Sequence, residues 1–369
     1  MQKNAQQSEY RRRLRQVRGQ LRELNVQGLI VIGVENVRYL TGFTGHDSWA
    51  LVLPRQAVLL TDSRYTEQAR SECVGCRIVE RKGPLANEAE TVIARQKGIA
   101  AVAIEDRCSV AMLKGIRKCL STNIRPVGGV VERVRAVKTE SEIRLIRRAA
   151  KIAFDAMEQT LKQLRAGMTE RQLAALYEYK LSEYNARPAF DTIVAFGPNG
   201  SRNHHQPGTR KLKNVDTILL DFGAAYKGYC SDITRCFAVG SVSPFFQKVY
   251  ETVARSQRAA IETMSAGVKG CDADTAAREL IQRAELPAYG HGLGHGLGLA
   301  VHEGPHLSNR DKSTLGAGHV VTVEPGVYVP GKLGIRLEDD VLVTANGVRV
   351  LSRDRRFEVR PERVPLLKV

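Results

Sequence analysis

The segment His291-Gly-Leu-Gly-His295-Gly-Leu-Gly-Leu-Ala-Val-His302-Glu303 narrows the folds open to this chain more than any other stretch. Glycines alternate at 292, 294, 296 and 298, and each costs a helix roughly 1 kcal/mol relative to alanine. A helix is excluded, and glycine at this density lets backbone approach a ligand or a neighbouring strand closely. The G-x-G-x-x-G spacing of a dinucleotide loop is absent. Three of the eight histidines fall in this stretch, which marks it as chemical rather than structural.

A chain of 369 residues divides into two domains at roughly 150 residues each. In residues 26–107, the apolar runs Gly28–Gly33, Trp49–Pro54, Ala57–Thr61 and Ile99–Ile104 alternate with helix-like stretches. That pattern predicts an α/β domain with a partly parallel sheet, ending near Val137. Thr139 and Glu142 have capping-box spacing and open a long helix that Gly167 ends; Thr169 and Gln172 cap another, running to about Tyr184. Strands are expected at Thr217–Asp221, Tyr229–Val239, Val320–Glu324 and Val341–Thr344, with helices between Ser243 and Ala266 and between Asp274 and Glu285. Two rounds of helices followed by strands describe an α+β domain with an internal duplication.

Asp221 and Asp232 flank a turn at Tyr226-Lys-Gly228, so a hairpin brings them side by side on adjacent strands. Two bare carboxylates that close repel one another unless a cation neutralises them. Glu324, in Thr322-Val-Glu324-Pro-Gly-Val-Tyr328, sits in an apolar strand where an unpaired charge costs several kcal/mol. Glu338 follows Arg336 and precedes Asp339 and Asp340; taken alone, that acidic run reads as an exposed turn. Asp221, Asp232, His295, Glu324 and Glu338 together form a mostly oxygen donor set that suits Mn²⁺ or another divalent first-row ion. Four carboxylates exceed what one catalytic ion needs. Two ions about 3.5–4 Å apart, sharing bridging carboxylates, fit best, and their expected chemistry is hydrolysis.

This arrangement resembles the pita-bread metallopeptidases, and within them the Xaa-Pro peptidases, aminopeptidase P and prolidase. The resemblance covers nearly the whole chain. It includes Asn36-Val-Arg-Tyr39-Leu-Thr-Gly-Phe43 in the front domain and Val137-Lys138-Thr-Glu140-Ser-Glu142 at the entry to the catalytic domain. It implies a creatinase N-terminal-like α/β domain over residues 1–137. An α+β pita-bread catalytic domain with a pseudo-twofold duplication then spans residues 138–369. By the same resemblance Asp221 chelates one metal, His295 and Glu324 the other, and Asp232 and Glu338 bridge them. Mn²⁺ is the first choice, with Co²⁺, Zn²⁺ or Fe²⁺ as alternatives. His204, not the adjacent His205, takes the place of the upstream active-site histidine. His291 and His302 contact substrate and stabilise the tetrahedral intermediate, Glu324 carries a proton to the proline nitrogen, and Arg336 acts on substrate or organises the ligands.

The substrates so implied are short peptides with proline second, and the assembly a homodimer whose front domain narrows the cleft. Methionine aminopeptidases share the five ligands, but the front domain and Glu324-Pro-Gly-Val-Tyr328 favour the proline branch. Catalytically silent relatives that bind histones or ribosomes are a further alternative, for which the charge of +17 speaks. The basic residues are spread along the chain apart from Arg11, Arg12, Arg13 and Arg15, so a solvated basic surface is expected rather than a nucleic-acid site. No apolar run approaches the roughly 20 residues of a membrane span. Met1–Glu23 reads as an amphipathic helix rather than a leader. An odd count of seven cysteines argues for reduced thiols and the cytoplasm, with Cys73-Val-Gly-Cys76 a chance pairing.

Overall fold

Ile30, Leu51, Leu59 and Val102 are fully buried because the short runs that carry them are apolar on both faces, the pattern of strands covered on two sides. They lie in a six-stranded sheet of spatial order Arg77–Glu80, Ala57–Thr61, Trp49–Val52, Gly28–Val31, Ala101–Glu105 and Asn123–Val127. Gly28–Val31 pairs antiparallel with Trp49–Val52 and parallel with Ala101–Glu105. The sheet is therefore partly parallel, as expected. The computed structural model describes residues 2–369, with side chains from residue 7, and forms two compact units, Met1–Arg135 and Ala136–Val369. The first helix, Gln2–Glu23, buries Leu14, Val17 and Leu21 along one face.

The second unit contains two rounds of a helix pair followed by a sheet. Helices Glu140–Leu161 and Glu170–Ser182 each start at a complete capping box, Thr139 with Glu142 and Thr169 with Gln172. They cover a four-stranded sheet of order Leu366–Leu367, Ile233–Val239, Thr217–Phe222 and Ile193–Phe196. Helices Pro244–Thr263 and Gly270–Arg283 cover a five-stranded sheet of order Glu303–Leu307, Gly294–Gly296, Val320–Val323, Asp339–Thr344 and Gly347–Val350. Each round buries its own apolar cluster. Among the described residues, no helix is long and apolar enough to cross a membrane.

Three boundaries differ from the sequence reading. The first long helix ends at Leu161 rather than Gly167, which instead turns the following loop at φ +82°. The last helix starts at Gly270, not Asp274, because its N-cap, Lys269, makes no side-chain cap and leaves no signal. Asp274 lies inside that helix, fully buried, accepting from Arg278 at 2.7 Å and from the Tyr289 hydroxyl at 3.0 Å. The stretch Tyr229–Val239 is two strands, broken at Ser231 and Asp232.

Candidate metal centre

The hairpin between the first two aspartates turns on Lys227 and Gly228, both at positive φ (49° and 86°), with Tyr226 opposite Tyr229. This matches the type I′ connection that suits the twist of paired strands. The register does not place Asp232 opposite Asp221; Thr234 holds that position. That pairing follows directly from the two-residue turn, whose register runs unbroken from Tyr226 with Tyr229 to Asp221 with Thr234, and the strands pack so closely that a Cβ at Gly223 would come within 2.1 Å of the Ser231 carbonyl oxygen. Asp232 leaves the ladder just before Ile233–Val239, yet its carboxylate still joins those of Asp221 and Glu338.

His295 sits on the Gly294–Gly296 strand, squeezed between two neighbours. A Cβ at Gly294 would meet the Thr322 carbonyl oxygen at 2.0 Å, and one at Gly296 would meet the Gly304 carbonyl oxygen at 2.2 Å. The alternating glycines therefore serve close strand packing around the imidazole. His295 Nδ1 lies 3.1 Å from the Gly296 carbonyl oxygen, to which it donates, leaving the Nε2 lone pair facing Glu324 (3.5 Å) and Asp232 (3.6 Å). Metal-ligating histidines are commonly oriented in this way. Burial pushes His291 and His295 down to about 4 and lowers His302, so all three favour the neutral form.

Among the described residues, three groups bring one ligand atom each within 4.8 Å of the others: Asp221, Asp232 and Glu338; His295, Glu324 and Glu338; and Asp232, His295 and His302. Glu338 belongs to both carboxylate-rich groups. The acidic run around it is not an exposed turn: Glu338, Asp339 and Asp340 are all buried. Burial first, and then neighbouring carboxylates, hold Asp232 and Glu324 well above the usual range and push Glu338 up to about 8. Asp221 Oδ1 is buried without a hydrogen-bond partner. Its Oδ2 accepts from Arg336 Nη2 at 2.5 Å. An orphaned buried oxygen among mutually repelling carboxylates fits a bound cation.

Arg336 also donates to Thr234 Oγ1 (3.1 Å), the Tyr328 hydroxyl (2.7 Å) and the Asn203 carbonyl oxygen (3.3 Å). The Tyr328 hydroxyl in turn lies 3.0 Å from His291 Nε2. Thr234 donates to Glu338 Oε2 at 2.7 Å. Thr322 Oγ1 accepts from the His295 amide at 3.1 Å, and Asp340 accepts from the Asp232 amide at 3.3 Å. Sequence reasoning missed Thr234, Thr322 and Asp340 as partners. A signal was there, since each lies two residues along from a candidate ligand (Asp232, Glu324 and Glu338), and second neighbours on a strand share a face.

Asp221, Asp232, His295, Glu324, Arg336 and Glu338 line a cleft of about 1130 Å³, together with His204, His291 and His302. His204 and His205 separate cleanly. His205 is buried with its Nε2 2.9 Å from Glu170, whereas His204 is exposed on the cleft wall. Glu170, fully buried, also accepts from the Phe196 and Gly208 amides and from Asn199, so it anchors both ends of the loop that carries His204.

Residues 144–345 match the family model described as metallopeptidase family M24, and residues 13–137 match the creatinase/prolidase N-terminal domain. The chain is 38% identical to an uncharacterised peptidase of Bacillus subtilis, YqhT, over 92% of this chain and 97% of that protein. A solved Xaa-Pro dipeptidase from Bacillus anthracis superposes with a TM-score of 0.91 at 33% identity, covering 97% of this chain and all of that one (100%). An X-Pro aminopeptidase from Thermotoga maritima MSB8 superposes with a TM-score of 0.84 at 36% identity, covering 94% and 98%.

Proposed function

Because the chain belongs to metallopeptidase family M24, and is therefore a peptidase that uses divalent metal, we propose that it is an Xaa-Pro peptidase. It would hydrolyse the bond between an N-terminal residue and a following proline in short peptides. Residues 1–137 would form its front domain and residues 138–369 its catalytic domain. The observation that carries the reading is the carboxylate cage with the unpartnered Asp221 Oδ1. The resemblance to a dipeptidase and an aminopeptidase that both act before proline narrows the substrate. The intact donor set speaks against a silent binding protein.

Asp221, Asp232 and Glu338 would hold one ion and His295, Glu324 and Glu338 a second, Mn²⁺ being the first choice for an oxygen-rich set. When bound, the ions supply an activated water and polarise the substrate carbonyl. The chain's own groups do the rest. Glu324, at the cleft, would pass a proton to the proline nitrogen, which as a tertiary amide carries no N–H of its own. His204 and His302 would donate toward the oxygen that gains charge, and His291, whose Nδ1–H goes to the Gly292 carbonyl and whose Nε2 accepts from the Tyr328 hydroxyl, would contact the substrate. Arg336 would hold Asp221 in place. Seven free cysteines fit the cytoplasm, and the proposed assembly is a homodimer.

The test is a panel of Xaa-Pro dipeptides and Xaa-Pro-Yaa tripeptides set against Xaa-Ala and Met-Ala counterparts, with Mn²⁺ supplied. Cleavage confined to the proline peptides is expected. Equal rates on the alanine peptides would remove the proline assignment and leave a general aminopeptidase.

The histidines give a sharper check. His204→Ala and His302→Ala should each keep their metal but lose roughly 10²–10³ in turnover, the cost of one oriented donor, and His291→Ala should keep its metal and lose turnover through its substrate contact. His205→Ala should instead lower the thermal midpoint, because Glu170 loses a buried partner. Metal analysis, turnover and melting of the four variants separate the roles.

A further inference from the structure

A second depression, of about 410 Å³, lies against helix Glu140–Leu161 and the 351–354 segment, and is lined by Arg144, Arg147, Arg148, Lys151 and Arg353. The first four recur at i, i+3, i+4 and i+7, so they share one helix face. All five are exposed. Lys151 reaches Asp155 at 2.8 Å and Arg353 reaches Glu358 at 3.7 Å, but among the described residues none of the three arginines on the helix is in an ion pair. The lining acid, Asp354, is already engaged by Arg356 at 2.6 Å.

The helices Pro244–Thr263 and Gly270–Arg283 handle their arginines differently. Arg255, Arg258, Arg278 and Arg283 each have a carboxylate partner four residues away, at 2.5–2.8 Å. The positions three and four residues from Arg147 and Arg148 hold Ile143, Arg144, Leu145, Ala150, Lys151 and Ile152, none of them acidic. Like charges at that spacing destabilise a helix by a few tenths of a kcal/mol per pair. Here the repulsion is gathered into a concave site, as it is for the carboxylates of the metal centre, but with the sign reversed.

We infer that this depression binds an oligophosphate, a small ligand carrying two or more linked phosphate groups. The planar guanidinium fork matches phosphate oxygens two at a time. From Arg144 to Lys151 the helix rises about 10 Å, more than one phosphate can bridge, so a linked series is required to engage the whole row. A pocket of this size lies within the range of small-ligand sites. Nucleic acid fits less well. The aromatic ring at the pocket, Phe154, is 1% exposed and offers no face for a base, and the cations are gathered in one depression rather than drawn out along a track.

The metal-loaded protein is titrated calorimetrically with inorganic tripolyphosphate, with adenosine triphosphate and with duplex DNA. Excess magnesium is present throughout, so that any stripping of the catalytic metal is common to all variants. One tripolyphosphate should bind per chain, more weakly as salt rises. Arg144→Gln, Arg147→Gln and Arg148→Gln combined should weaken binding at least about tenfold, since several charge-assisted hydrogen bonds are lost. The same change of charge at the exposed Arg11, Arg12 and Arg15 should leave it unaltered. Equal affinity for tripolyphosphate and adenosine triphosphate would mean that the phosphates alone are recognised; tighter adenosine triphosphate would identify a nucleotide. The inference is overturned by absence of binding, by equal losses in the two variants, or by DNA binding that depends on this site while tripolyphosphate does not bind.

Discussion

Glu338→Ala and Asp232→Ala are expected to abolish hydrolysis and to lower the bound metal below two ions per chain. Both residues recur in two of the three ligand groups, and Glu338 links the Asp221 group to the His295 and Glu324 group. Glu338 is 2% exposed, and its Oε2 accepts from the Thr234 hydroxyl, which fixes its carboxylate in place. Loss of Glu338 would remove an oxygen from both proposed ion sites at once. Asp340→Asn is the informative contrast. It alters a group that holds the Asp232 amide rather than a proposed ligand, and orienting partners typically cost about 10- to 100-fold in affinity or activity. Metal content by mass spectrometry, measured beside turnover, orders the three variants. Wild-type turnover and metal content in Glu338→Ala would sink the binuclear assignment.

Much of this architecture was legible in the sequence because local rules and the fold agree. The capping boxes at Thr139 and Thr169 start helices where their spacing says they should, and Lys227-Gly228 turns the hairpin within the Tyr226-Lys-Gly228 stretch read as a turn. What failed was set by long-range packing. Asp274 has the composition of a helix start, but its environment is fixed by Tyr289, fifteen residues on. Asp339 and Asp340 read as solvent-facing because the groups that bury them come from far along the chain: Arg235 bonds Asp339 at 2.7 Å, and Asp340 accepts from the amide of Asp232. A one-dimensional pattern records which residues alternate, but not which neighbour closes over them.

The same burial makes the metal-free protein sensitive to pH in a direction the geometry determines. Asp232, Glu324, Glu338 and Asp340 are all raised, first by burial and then by other carboxylates, Glu338 to about 8 and the rest well above the usual range. In the unfolded chain these groups ionise near pH 4. Between that value and the raised folded values the native state therefore holds more protons than the unfolded state, and stability falls as pH rises, by about 1.4 kcal/mol per unit for each such group. The buried histidines have the opposite sign. His291, His295 and His319 are lowered from 6.5 to about 4, so their contribution rises with pH, but only across that interval. Between pH 7 and 8.5 the carboxylates therefore decide the slope. After chelation, the thermal midpoint of the catalytic unit should drop across this range. With Mn²⁺ restored the drop should largely vanish, because the cation takes the place of the protons, and binding should release more protons at pH 7 than at 8.5. Calorimetry in buffers of different ionisation enthalpy counts those protons. A metal-free midpoint that rises over this interval would mean that the four carboxylates are not packed around an empty charge but are already compensated by the protein.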